Sequence, residues 1–173
     1  MCLTPTSYRL VEFNPFKHPY GSHINIDTKQ ISVNCVLGVN MLDALHQSSL
    51  GIDGGETYFF RATGAKFMYR IDIPGYPVFR QQKYAMSAKR IPITIETAVR
   101  QVAQVMHAFI EQAARQVSTD GLMRFGPGCL ELKDLYLVEL RRFGATIQPV
   151  FAYIEPGAVF MDSGNVYVQY GSQ

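Results

Sequence analysis

The sequence has no tryptophan and only three cysteines, Cys2, Cys35 and Cys129, which lie far apart. An odd number of widely spaced cysteines does not suit the disulfide framework of a small secreted domain, so a reducing compartment is expected. No apolar run approaches the roughly 18 residues of a membrane span, and polar residues and prolines interrupt the start of the chain, where a signal peptide would be apolar. We therefore predict a protein that is cytoplasmic or part of a soluble assembly, with no membrane partner and no classical secretion signal.

Recognisable catalytic and metal-binding motifs are also missing. The glycine-rich stretch 51–55 lacks the Lys-Ser/Thr ending of a phosphate-binding P-loop, and we interpret it as a turn. His18, His23 and Asp27 could supply metal ligands, but the loop that is predicted around them fixes no geometry. The sequence therefore predicts no catalytic residue, no metal and no cofactor. An enzyme is the less favoured interpretation, although many enzymes carry no readable signature.

The other reactive side chains have structural interpretations. Cys35 belongs to an alternating apolar pattern and Cys129 precedes an apolar run, so both are expected to be small buried side chains. Two carboxylate pairs are close in sequence, but acid–base catalysis also needs a cleft that brings such groups to a substrate. These pairs are Glu131 with Asp134 and Asp53 with Glu56.

The clearest predicted element is a helix over residues 95–117, with Thr94 as its N-cap and Gly121 beyond its end. Its apolar positions form one broad face that must be buried, and its polar positions recur at intervals of three or four and are expected to face water. A shorter helix is predicted over residues 41–49, with Asn40 as its N-cap. The polar stripe of the long helix consists of Glu96, Arg100, Gln104, His107, Glu111 and Arg115.

Period-two alternation predicts most of the strands. Residues 23–27 and 30–37 are expected to form one hairpin, with residues 27–29 as its turn. A second pair is expected from residues 58–62 and 65–73. Near-continuous apolar content favours a strand over residues 130–143, although Gly144 after two arginines also fits a helix end, so both alternatives stay open. The remaining predicted strands are 146–154, 158–161 and 166–170, the last two as a hairpin.

Strands followed by one long helix and further strands predict an α+β domain in which a mainly antiparallel sheet packs on the helix. At 173 residues, the whole chain fits one domain that buries roughly 70% of its unfolded surface. Residues 74–93 form a long connection, which is a candidate binding or assembly arm because long connections in compact domains are often functional.

Positive charge is concentrated in residues 57–95, which contain seven basic residues and one acidic residue, Asp72. Aromatic residues are interleaved with the basic ones, a combination that suits contact with phosphates and stacking on unpaired bases. In the predicted strand 65–73 the basic and aromatic side chains alternate, so its aromatics are expected to be core. The candidate nucleic-acid-binding residues are Arg80, Lys83, Tyr84, Lys89 and Arg90, with Arg61, Lys66 and Arg70 as further members.

Two functions from different classes are compatible with this pattern. The favoured one is a non-catalytic binding or assembly module that self-associates or binds a protein partner through an aromatic-rich surface and the basic connection. The alternative is a protein that binds single-stranded or non-specific nucleic acid through the basic segment 61–90. We expect Arg80, Lys83, Lys89 and Arg90 to share one exterior face in either case.

Overall fold

The structure, a computed structural model, describes residues 8–16, 26–60, 64–116, 123–154, 160–162 and 165–167. Its strands are β1 Tyr8–Leu10, β2 Ile26–Gln30, β3 Ser32–Val33, β4 Val36–Leu37, β5 Val39–Asn40, β6 Lys66–Ile71, β7 Phe79–Tyr84, β8 Leu135–Phe143, β9 Thr146–Ile154, β10 Phe160–Asp162 and β11 Asn165–Tyr167. The helices are α1 Met41–His46 and α2 Ile95–Ala113, and a short 3₁₀ helix spans Leu132–Asp134.

One mixed sheet of seven strands organises the described residues. Its order is β2-β8-β9-β6-β7, with β5 beside β2 on β8 and β1 beside β6 on β9. All pairings in it are antiparallel except that of β6 with β9. The predicted α+β class, with a mainly antiparallel sheet and one long helix, is therefore confirmed.

Helix α2 covers one face of the sheet. The Thr94 hydroxyl accepts a hydrogen bond from the Thr97 amide, as an N-cap should, and Glu96 lies in the first turn. Its apolar face is buried, including Val99, Val102 and Met106, which are fully buried. The helix ends at Ala113, and its predicted continuation to residue 117 is partly outside the described residues.

Helix α1 lies against the start of α2 and changes the role of one polar position. Arg100 forms an ion pair with Glu96 at 2.7 Å and donates to the carbonyl oxygens of Gln47 and Ser48 at the end of α1, at 2.5 and 2.8 Å. The expectation that this polar stripe faces water throughout is wrong at its first turn, because α1 and the residues after it cover Arg100. Asn40 caps α1 as predicted, but the helix ends at His46 instead of residue 49.

Residues 8–16, which we call the strap, begin as β1 in the sheet and then cover the opposite face. Its Asn14 side chain donates to the buried Asp72 carboxylate, and Gln148 donates to the Asn14 carbonyl. Phe13 and Phe16 lie under the guanidinium groups of Arg141 and Arg70. Both faces of the central strands are therefore buried, which explains the near-continuous apolar content of β8 and settles residues 135–143 as a strand.

Two predicted hairpins are wrong. Residues 26–30 form a continuous strand on β8, so residues 27–29 are no turn, and the real hairpin is β3–β4 around Asn34 and Cys35. Both of these residues have positive φ, 50° and 63°, which the tight turn requires. The partner of β6 is β7, which lies inside the predicted connection 74–93, and residues 58–60 form no strand with β6. Alternation cannot identify the partner of a strand, and β7 has few apolar residues to reveal it.

The later strands agree closely with prediction. The strand over residues 146–154 is confirmed as β9, and β10 pairs with β11 antiparallel with Asp162 opposite Asn165. The outer parts of the predicted strands 158–161 and 166–170 lie outside the described residues.

Candidate nucleic-acid interface

The alternation of β7 divides the predicted basic residues between two faces. Arg80 and Tyr84 are exposed on the face turned away from α2, whereas Lys83 points toward α2 and donates to Gln104 at 3.0 Å. The Gln101 side chain also donates to the Tyr84 carbonyl, which fixes the end of β7 against the helix. The expectation that Arg80 and Lys83 share one face is therefore wrong, because residues three apart in a strand point in opposite directions.

Strand β6 contributes Lys66 and Arg70 to the same face as Arg80 and Tyr84. Lys66 lies opposite Tyr84 in the register, and its ammonium is 5.5 Å from the centre of the Tyr84 ring, within cation–π range. Arg70 lies opposite Arg80 but is ion-paired with Asp72 and stacked on Phe16. Arg70 therefore holds the strap in place and has little charge left for a ligand.

A tight turn follows β7 and presents two further cations. The Arg90 amide donates to the Ser87 carbonyl and the Ser87 amide to the Ile91 carbonyl, which closes the turn. Arg90 adopts a left-handed conformation with φ of 57° at its tip. Lys89 and Arg90 are both exposed. The turn spans residues 87–91 and starts three residues after Tyr84, so it follows the end of the strand pair where Lys66 and Tyr84 meet.

These residues define what we call the basic surface. Arg80 is about 13 Å from Tyr84 along the strand, at roughly 3.3 Å per residue. Within the part of the chain that the structure describes, no carboxylate lies within 4 Å of the surface's four cations. Lys83 and Arg70 are not part of it, and Arg61 lies outside the described residues. The basic surface consists of Lys66, Arg80, Tyr84, Lys89 and Arg90.

Most aromatic side chains of the segment are used inside the protein. Phe59, Phe67 and Tyr69 are buried, and burial raises the pKa of the Tyr69 hydroxyl well above its usual value. Tyr76 and Phe79 pack edge-on against Phe109. Tyr58 and Tyr84 are 62% and 67% exposed, so these two rings remain for contact with a partner.

Gln82 is a member of this face that sequence reasoning missed. Its side chain is exposed between those of Arg80 and Tyr84 on the outer face of β7. The alternation of positions 80, 82 and 84 would have identified it if the segment had been predicted as a strand. An amide at this place can donate or accept hydrogen bonds beside the cations.

The alternative chemical groups have structural roles. Asp53 accepts from the Ser32 hydroxyl at 2.6 Å and from the Cys35 and Asn34 amides, and these hydrogen bonds hold the pKa of its carboxyl below the ordinary value. Glu131 and Asp134 form the capping box of the 3₁₀ helix, and the Lys133 ammonium and the Gly128 amide lower the pKa of the Glu131 carboxyl.

Neither cysteine of the described region behaves as expected. Cys35 and Cys129 are exposed free thiols, and the prediction that both are buried is wrong. Each lies in a tight turn, where the backbone directs the side chain outward. Among the described residues, no cluster of three His, Cys, Asp or Glu side chains could hold a metal ion.

A cavity between the strap and the sheet is too small for a substrate. It has a volume of about 10 Å³, is lined by residues that include Val11, Asp72 and Gln148, and is at the lower limit for a single water molecule. The described helices include none with both the length and the apolar content that a bilayer crossing demands.

No known protein family, curated protein or solved structure matches the chain.

Proposed function

We propose that the protein binds single-stranded nucleic acid through the basic surface. The observation that carries the proposal is the exposed Tyr84 ring beside Lys66, with Arg80 on the same strand face, Lys89 and Arg90 exposed on the turn that follows β7, and no described carboxylate to neutralise them. An aromatic ring bordered by cations is the arrangement by which proteins stack on a base and contact the phosphates beside it.

Single strands suit this geometry better than duplexes. A base is available to the Tyr84 ring only when it is unpaired, and stacking on an aromatic ring is worth about 1–3 kcal/mol per base. The cations lie on a strand face and on one turn, so they can follow a flexible backbone without entering a groove. Recognition of this kind tolerates different sequences, because every base has an aromatic face.

The number of cations sets the expected salt dependence. If each of the four contacts one phosphate, the logarithm of the affinity falls with the logarithm of salt concentration with a slope of about −2.8 for a single strand. Raising the salt from about 50 to about 200 mM would then weaken binding roughly 50-fold. A change of this size is readily measured by fluorescence anisotropy.

The test compares charge reversal at the basic surface with charge reversal elsewhere. Lys89→Glu/Arg90→Glu should reduce both the affinity for a labelled oligonucleotide and the salt slope, whereas Arg115→Glu/Arg124→Glu changes the net charge equally on exposed residues outside the surface. Tyr84→Ala should weaken binding without changing the slope, and Tyr84→Phe should not. If both charge variants lose the same affinity for the oligonucleotide, the loss is explained by the change in net charge alone and the proposed site is refuted.

A second proposal is self-association, which a different observation favours. Strand β2 forms an edge of the sheet, four of its five residues are exposed, and Ile26 is 55% exposed although it is apolar. Unpaired strand edges are templates for pairing with another chain. Light scattering at increasing protein concentration tests the proposal, and a monomer at every concentration would refute it.

A further inference from the structure

We infer that β2 pairs antiparallel with β2 of a second copy, in a register centred on Thr28, so that two sheets join across a two-fold axis. The inference rests on the proposed self-association and gives it a specific surface. It is independent of the proposed nucleic-acid binding.

The backbone groups of β2 that face outward can be assigned from one hydrogen bond. The Ile31 amide donates to the Val138 carbonyl, in continuation of the β2–β8 register. Because backbone groups alternate in direction along an antiparallel strand, Asp27 and Lys29 also direct theirs toward β8. Ile26, Thr28 and Gln30 therefore present their amides and carbonyls at the open edge.

Symmetry restricts the registers that a self-pairing can adopt. A two-fold axis that relates adjacent antiparallel strands of one sheet stands perpendicular to the sheet, so opposite residues must share a face. The strand can then be centred on Asp27, on Thr28 or on Lys29. Of these three residues, only Thr28 directs its backbone groups outward. Centring on Thr28 is therefore the one choice among the three that places the two central residues in a hydrogen-bonded pair.

Side-chain charge selects the same register. Centring on Asp27 would place two carboxylates opposite each other, and centring on Lys29 would place two ammonium groups opposite each other; like charges in this position are destabilising. Centring on Thr28 places Asp27 opposite the second copy's Lys29, twice. Both side chains lie on the face toward α2, because their partners on β8 are Arg142 and Leu140.

The groups needed for this pairing are available. Asp27 is 56% exposed, and its described ion contact is a distant one of 3.9 Å to Arg142. Lys29 has no carboxylate within 4 Å among the described residues. On the other face, Ile26 would lie opposite Gln30 of the second copy, which would cover part of its exposed surface. No proline interrupts the strand, and the described structure places no other strand on its outer edge.

The opposite edge of the sheet is less suitable. Beside the end of β7, the Ile93 amide donates to the Ala85 carbonyl and the Phe59 amide to the Ile93 carbonyl, so residues 57–60 and 91–94 occupy part of the backbone there through isolated bridges. The Gln101 side chain occupies the carbonyl of Tyr84. The exposed edge of β2 therefore offers the longer run of free backbone groups.

The decisive experiment uses charge exchange, with sedimentation equilibrium to measure association. Asp27→Lys and Lys29→Asp should each associate roughly ten- to a hundredfold more weakly than the natural sequence, because each creates two like-charge pairs. An equimolar mixture of the two variants should associate again as a heterodimer, since opposite charges then face each other at every position. The double variant Asp27→Lys/Lys29→Asp should also recover association.

A backbone variant tests the pairing without charge. Thr28→Pro removes an amide that faces outward and makes no bond to β8, so the fold should be retained while association is lost. Thr28→Val keeps the amide and should associate normally, and thermal unfolding of both variants reports whether the fold is intact. A monomer in the natural sequence would refute self-association altogether. Association that survives Thr28→Pro would leave self-association standing but overturn pairing through β2.

Discussion

Arg100 is predicted to contribute more to stability than its place on a surface helix suggests. Its guanidinium binds the Glu96 carboxylate and the carbonyls of Gln47 and Ser48, so it supplies donors to the end of α1, where carbonyls lack partners within the helix. Arg100→Met keeps most of the packing of the side chain and removes these bonds. The two carbonyl oxygens and the Glu96 carboxylate then lose their Arg100 donor, and water is their replacement partner where it has access.

The expected cost follows from the burial of the group. A hydrogen bond to a charged partner contributes about 1.5–3 kcal/mol when its loss leaves a buried group unsatisfied. The Arg100 side chain is 28% exposed, so water would replace part of the loss. We therefore expect Arg100→Met to reduce the free energy of unfolding by about 2 kcal/mol, equivalent to a fall of about 4–8 °C in Tm for a chain of this size.

Urea denaturation followed by circular dichroism measures this difference, and two variants calibrate it. Arg115→Met removes an exposed arginine of the same segment that has no described partner, and should change stability by less than about 0.5 kcal/mol. Glu96→Gln removes the ion pair alone and should cost about 0.5 kcal/mol. If Arg100→Met costs no more than Glu96→Gln, the bonds to α1 contribute nothing and the reasoning fails.

Two further predictions concern turns. The hydrogen bonds that Asp53 accepts keep the pKa of its carboxyl in the folded protein below the ordinary value of 3.8. These bonds therefore stabilise the fold fully above pH 3.8, and their contribution is lost as the pH falls through the pKa of the folded state. The stability difference between the natural sequence and Asp53→Asn, measured by urea denaturation, should therefore shrink below about pH 4, and a difference that is constant with pH would contradict this. A Cβ on Gly126 would lie 2.6 Å from the Ala114 Cβ at a φ of 119°, so Gly126→Ala should cost about 2 kcal/mol or more in the same assay. Gly64→Ala, where a Cβ meets nothing within 4 Å, is its control, and equal costs would show that the contact is relieved by movement.

The sequence was a good guide where the pattern is local and complete. Helix α2 is long enough for its apolar face to recur many times, and Thr94 marks its start unambiguously. The alternation in β6 separated Phe67 and Tyr69 from Lys66 and Arg70 correctly. These features depend only on the sequence of one segment and on the burial of one of its faces, not on which element covers that face.

The sequence was a poor guide where the partner is distant or polar. Strand β2 pairs with β8, more than a hundred residues later in the chain, and alternation within residues 23–37 carries no information about that partner. Strand β7 was missed because its inward positions include the polar residues Gln81 and Lys83, of which Lys83 donates to Gln104 on α2. For that reason the composition of the sequence identified the basic segment as a candidate site, but it did not predict that Arg80 and Lys83 lie on opposite faces of β7.

The pairing of β1 with β9 has a consequence for synthesis. Tyr8 pairs with Ile154, so β1 cannot join the sheet until the chain has been synthesised at least as far as β9. Contacts between such distant residues form slowly, because a long loop must close before they give any stabilisation. During that interval Phe13 and Phe16 lack the contacts with Arg141 and Arg70 that they make in the folded sheet, so two apolar rings near β1 stay exposed to solvent.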